Sequence, residues 1–144
     1  PEMPDFLPDR LEAGTHNVPG AAGLLAGLRF VARRGTGAIQ RREQALVRQA
    51  AEGLCRLPGL QVYAAREEAC QSGVLSFRCT GRDPGWVAEA LWRRGIAVRA
   101  GLHCAPLAHT TGGTEATGTV RLSVSVFNTS QEVERFLKGM RTLV

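Results

Sequence analysis

The sequence has one lysine, no C-x-x-C pair and no long apolar run, and each shortage excludes something. No apolar stretch approaches the roughly 18 residues that a membrane-spanning helix needs, so no membrane partner is expected. No charged segment followed by an apolar core opens the chain, so no secretory signal is read there. The four cysteines are Cys55, Cys70, Cys79 and Cys104. Without C-x-x-C spacing, neither a zinc ribbon nor a thioredoxin-type pair is expected. They read as free thiols in a reducing compartment, which makes the location cytoplasmic. Of the 18 basic residues only Lys138 is lysine; the others are arginine. The net charge is +5, but the arginines are scattered. Their longest runs are the pairs Arg33-Arg34, Arg41-Arg42 and Arg93-Arg94, and no aromatic residues interleave with them. A nucleic-acid partner is therefore not expected.

What is present suits one domain. A chain of 144 residues buries about 70% of its unfolded surface and needs neither disulfide nor metal to hold a core. Residues 1–16 read as an extended arm, with Pro1, Pro4 and Pro8, ending in a turn-like cluster; residues 17–144 form the domain. A helix is predicted over residues 18–34, with Pro19 in its first turn and Gly35 at its stop. Its small residues Ala21, Ala22, Gly23 and Gly27 suit close packing against another element. The spacing of Ile39, Leu46, Val47, Ala50, Leu54 and Leu57 predicts a second helix over 36–57, ended by Pro58-Gly59. Strands are predicted over 60–63 and 74–79; the latter divides Leu75, Phe77 and Cys79 from Val74, Ser76 and Arg78. Asp83 and Pro84 start a helix that runs to Arg94, and 96–99 reads as a short strand. Residues 100–118, with four glycines and four threonines, read as a long irregular loop of the kind that carries function. A strand over 119–127 follows, and Thr129 with Glu132 forms a capping box for a last helix. The expected fold is α+β, a small mixed or antiparallel sheet of about four strands covered by helices on one side.

Chemistry is expected in the 100–118 loop. Cys104 lies there among Arg99, His103 and His109. Cationic neighbours favour a thiolate, and a loop gives it access and room to move, so Cys104 is the candidate nucleophile. Cys55 and Cys79 read as small buried hydrophobes. Cys70 follows Glu67 and Glu68, whose charge disfavours a thiolate, and reads as incidental. His103, Cys104 and His109 match no common zinc spacing and lack a fourth ligand, so no metal is expected. Arg121 is either a solvated residue of its strand or an anion anchor in a pocket, where its planar fork suits a carboxylate. Thr15 is either a plain N-cap or a hydroxyl that holds a phosphate at a helix start.

These residues fall in three segments that resemble one family. Glu12-Ala-Gly-Thr-His-Asn17 resembles the E-A-G-T-x-N segment of class V aminotransferases, in particular cysteine desulfurases and selenocysteine lyases. Arg99-Ala-Gly-Leu-His-Cys-Ala105 resembles the R-x-G-x-H-C-A loop of the group II, sulfur-mobilisation desulfurases. The run from Val120 to Thr129 resembles the strand that follows and its F-N-T turn. The resemblance implies the C-terminal small domain of a pyridoxal 5′-phosphate (PLP) enzyme of fold type I. Such enzymes convert L-cysteine to L-alanine, and here the sulfur would remain as a persulfide on Cys104. Arg121 is implied as the carboxylate anchor, with Arg99 and His103 as further substrate-binding groups. Thr15 and the backbone of Gly14 are implied at the PLP phosphate of the neighbouring subunit in a homodimer. Leu102, where the family often has His, and Pro106 mark a subfamily difference that bears on substrate preference.

The lysine that binds PLP has no counterpart, since Lys138 stands at no position the family uses. The resemblance therefore implies a large PLP-lysine domain outside this chain, and an isolated chain that is inactive. It further implies sulfur metabolism such as iron–sulfur cluster assembly, with a sulfur-acceptor protein as partner. Selenocysteine lysis is the alternative reaction. A stand-alone relay domain that passes persulfide through Cys104 is the alternative of another class.

Overall fold

The computed structural model describes residues 3–12 and 14–144. Pro1, at the start of the expected arm, and Ala13, in the E-A-G-T segment, lie outside the described residues. The chain divides into two compact units, Pro1–Thr36 and Gly37–Val144.

In the first unit the arm is not extended throughout, because Asp9–Leu11 closes a 3-10 turn. Helix α1, Val18–Arg34, follows. Asn17 is its N-cap: the side-chain oxygen accepts from the Gly20 N–H at 2.9 Å, which satisfies one of the helix's orphan donors. Gly35 ends it at φ 78, its N–H donating to the Val31 carbonyl. No residue of α1 is buried.

The second unit holds the core. Helix α2, Thr36–Cys55, leads to β1, Leu60–Tyr63, and β2, Val74–Cys79. Helix α3, Pro84–Trp92, precedes β3, Arg99–Gly101; helix α4, Pro106–Gly112, precedes β4, Thr119–Ser123; and α5, Ser130–Arg141, closes the chain. The four strands form one antiparallel sheet in the order β1-β2-β4-β3. Side chains alternate across a strand. Leu75, Phe77 and Cys79 of β2 and Val120 and Leu122 of β4 are buried together with Leu46, Val47, Ala50 and Leu54 of α2, Val87 and Leu91 of α3, and Val133, Phe136, Leu137 and Met140 of α5. Phe77 and Phe136 meet edge to face, with ring centroids 5.8 Å apart. The register sets the other face. Tyr63 pairs with Ser76, Ser76 with Arg121, and Arg121 with Arg99. One row of polar side chains therefore crosses all four strands on the side away from this core.

Several expectations are corrected. The 100–118 segment is not irregular throughout, because it contains α4. Pro106 starts that helix, and Gly113 ends it in the left-handed region. Its threonines are accommodated by bonding back along it, Thr110 to the Pro106 carbonyl and Thr111 to the Leu107 carbonyl. The third strand is 99–101 rather than 96–99. Ile96 and Val98 pack against the core, so their apolar spacing reflects burial and not ladder pairing. The fourth strand ends at Ser123 instead of Phe127. There the Asn128 side chain captures the Ser125 N–H at 2.8 Å and turns the chain. The second helix ends at Cys55 and the third at Trp92, each two residues short of expectation. The last helix stops at Arg141, and its Thr129–Glu132 capping box is present as expected. Cys55 is exposed, not buried. Leu54 occupies the core-facing position of α2, and the next residue is rotated about 100° away from it.

Candidate active site

β3 and β4 deliver the site. Gly101 lies opposite Thr119, and the two backbones approach so closely that a Cβ on Gly118 would overlap the Gly101 backbone. Gly101 and Gly118 both sit at positive φ, 113 and 72, which side-chain-bearing residues rarely adopt. Past Gly101 the chain reverses. The Ala105 N–H donates to the Leu102 carbonyl at 2.9 Å, and the central residues His103 and Cys104 have φ 54 and 59. Two positive φ values at the centre place this turn in the type I′ class, where Gly and Asn are usual. Among the described residues no other non-glycine has positive φ. Such conformations cost on the order of 1 kcal/mol each and persist only where surrounding contacts enforce them.

The enforcing contacts are at His103. Its Nε2–H donates to the Thr119 carbonyl at 3.2 Å, and Thr119 Oγ1 lies 3.3 Å from the same nitrogen. A carbonyl can only accept, so Nε2 carries the hydrogen and the neutral ring leaves Nδ1 as a bare acceptor. Burial holds His103 below the ordinary histidine range, and the Arg121 charge adds to this. The Thr119 carbonyl pulls the other way, while His109 and Arg99 add smaller repulsions. His109, on α4, is buried; its Nδ1 is 2.7 Å from Thr114 Oγ1, and its ring centroid is 5.9 Å from that of His103. Cys104 itself is exposed at the turn. Cys79 provides the contrast expected of a packing thiol, since burial pushes it up and away from the thiolate.

Next to the turn is a cleft of about 340 Å³ lined by Tyr63, Ser76, His103, His109, Thr119 and Arg121, among others. Arg121 is thus a pocket residue and not a solvated one. Three buried side-chain atoms have no partner among the described residues: Tyr63 Oη, His103 Nδ1 and Arg121 Nε. All three residues line this cleft. An unpaired buried polar atom costs about 1–3 kcal/mol, so their concentration in one place marks a site built for a polar ligand.

Of the expected site residues, Cys104, His103 and Arg121 are brought to the turn and cleft, and Arg99 stands opposite Arg121 on the exposed edge strand. Gly14, at φ 96, and Thr15 are exposed in the first unit. Thr15 is not an N-cap, because Asn17 performs that role. Lys138 is exposed on α5. No three His, Cys, Asp or Glu residues among those described are placed to hold a metal ion. Among the described residues no helix is long and apolar enough to cross a membrane. Tyr63 and Ser76 are not among the site residues that the sequence singles out. The alternation of β1 and β2 could have found them, but only the cross-strand register ties them to Arg121.

The model of the aminotransferase class V family matches residues 5–136. A probable cysteine desulfurase of Mycolicibacterium paratuberculosis is 41% identical over 136 residues, which is 94% of this chain and 19% of that protein. The apo structure of a cysteine desulfurase from Thermococcus onnurineus matches with a TM-score of 0.85 and 44% identity, over 95% of this chain and 34% of that one. A cysteine desulfurase structure from Escherichia coli, carrying an S-sulfonic acid, matches with a TM-score of 0.81 and 30% identity over 94% of this chain and 32% of that one. The chain spans about a fifth to a third of the length of the curated relatives it matches.

Proposed function

The chain belongs to the class V aminotransferase family, and on that footing we propose that it is the sulfur-accepting part of a longer PLP-dependent cysteine desulfurase. The observation that carries this reading is the turn at Cys104. An exposed thiol is held at positive φ beside a cleft that contains a half-buried arginine with an unpaired Nε. The similarity to cysteine desulfurases over nearly the whole chain supports the same reading.

Arg121 binds the carboxylate of L-cysteine, with Arg99 adding positive charge and His103 Nδ1 accepting a hydrogen of the substrate. These contacts orient the amino acid so that its sulfur faces Cys104. The Cys104 thiolate then bonds to the substrate sulfur. The carbon–sulfur bond breaks, its electron pair goes to carbon, and a proton on that carbon completes L-alanine. The sulfur stays as a persulfide on Cys104, exposed where the thiol of an acceptor protein can take it.

Gly14 and Thr15 would hold the phosphate end of PLP. Gly14 has open space where a Cβ would be, and Thr15 offers an exposed hydroxyl; together they suit a phosphate. PLP, when bound, supplies the electron sink for the bonds at the amino acid Cα. The lysine it needs is assigned to another part of the enzyme, since the one lysine of this sequence, Lys138, is on α5 away from the cleft residues. The enzyme acts in sulfur metabolism, in the cytoplasm, as a homodimer whose neighbouring subunit's phosphate meets Thr15. The 144-residue chain alone is inactive.

The test is alanine release from L-cysteine by the full-length enzyme and its Cys104→Ala variant. The proposal expects a loss of about 100-fold or more with cysteine. An unchanged rate with cysteine would contradict it, and an enzyme that prefers selenocysteine would move the reading to a lyase.

A further inference from the structure

The cleft beside Cys104 holds more hydrogen-bonding capacity than an arginine anchor alone requires. Tyr63 Oη, Arg121 Nε and His103 Nδ1 are its three unpartnered buried atoms among the described residues. The register shows how two of them share the space. Tyr63 stands opposite Ser76, and Ser76 opposite Arg121, so the three form a row on one face. Adjacent strands lie about 4.8 Å apart, which puts the Tyr63 and Arg121 backbones roughly 10 Å from each other. The residue between them is serine, whose short side chain leaves a gap between two long ones. Tyr63 and Arg121 both line the cleft of about 340 Å³, which has room for a small anion.

The chemistry of the gap is set by its donors. Arg121 only donates, and the Tyr63 hydroxyl is free to donate. A carboxylate has two oxygens and about four acceptor sites, enough to take the arginine fork and one hydroxyl together. We infer that the Tyr63 hydroxyl is a second donor to the carboxylate that Arg121 holds, so that the cleft selects amino acids with a free α-carboxylate. This rests on the Arg121 anchor of the proposed function and adds a residue to it.

The experiment uses the full-length enzyme with Tyr63→Phe and, separately, Arg121→Lys. Tyr63→Phe keeps the ring and its packing and removes only the hydroxyl. Two quantities are read: the steady-state constants for L-cysteine, and calorimetric binding of L-alanine and of L-alaninamide, which lacks the carboxylate. Tyr63→Phe is expected to raise KM for cysteine and Kd for L-alanine by about tenfold, with kcat nearly unchanged, as for an interaction made equally in the ground and transition states. Its affinity for L-alaninamide is expected to match wild type. A Tyr63→Phe enzyme that holds L-alanine as tightly as wild type, while Arg121→Lys weakens it, would overturn the role of Tyr63 and leave the anchor standing. If neither variant weakens L-alanine, both fall.

Discussion

The two faces of the sheet are made from alternate residues of the same strands, and they solve opposite problems. On one face Leu75, Phe77, Val120 and Leu122 are buried against α2, α3 and α5, with no polar side chain to satisfy. On the other, Tyr63, Ser76 and Arg121 line a cleft that leaves hydrogen-bonding atoms without partners. The first face gains from exclusion of water, at roughly 25 cal/mol per Å² of apolar surface. The second forgoes stability to keep its groups available. The same contrast recurs between Cys79, whose buried thiol is pushed away from ionisation, and Cys104, which is exposed at a strained turn.

Substitutions on the two faces should therefore separate stability from function. The largest stability effect is expected from Phe77→Ala. It removes a fully buried ring that also meets Phe136, and should cost about 3–5 kcal/mol, read as a lower midpoint in urea unfolding. A loss below about 1 kcal/mol would mean that the apolar face is not the core described. Arg121→Leu, one strand away on the opposite face, should change stability by no more than about 1 kcal/mol. It removes a half-buried group whose Nε is already unpaired, so little native bonding is lost. In the full-length enzyme the same change should raise KM for L-cysteine at least tenfold. A large stability loss with normal KM would erase the distinction between the faces.

The smallest effect is a pH dependence on the polar face. His103 is held below its ordinary value, chiefly by burial and then by Arg121. The unfolded chain therefore binds a proton that the folded chain resists. The stability contribution is fully present above the unfolded value of about 6.5 and declines as pH falls through that value toward the folded one. Urea midpoints should rise from about pH 5 to pH 7, and His103→Asn should flatten that rise. A midpoint that falls over this interval would contradict the placement of His103.

Much of this architecture is legible in the sequence because local signals and burial agree. The Asp83 helix start, the Thr129–Glu132 capping box and the alternation of residues 74–79 involve neighbours in the chain. The errors arise where two signals share one appearance. Ile96 and Val98 alternate like strand residues but are core contacts, and the ladder begins at Arg99 because that residue faces Arg121. Helix α4 is hidden by Thr110, Thr111, Gly112 and Gly113, a composition that suggests a loop until the threonine hydroxyls bond backward. In the site, Cys104, His103 and Arg121 are recognisable from their motif. Tyr63 is not, because its link to Arg121 passes through two strand pairings, and a register between distant segments is not written in either segment alone.

The central claim is that Cys104 accepts sulfur while the other thiols do not. Its most direct test is mass spectrometry of cysteine-containing peptides from the full-length enzyme after a single turnover with L-cysteine, without reductant. The expected result is one added sulfur atom on the Cys104 peptide and none on those of Cys55, Cys70 or Cys79. Sulfur on another of these cysteines, with Cys104 unmodified while alanine is released, would contradict the account.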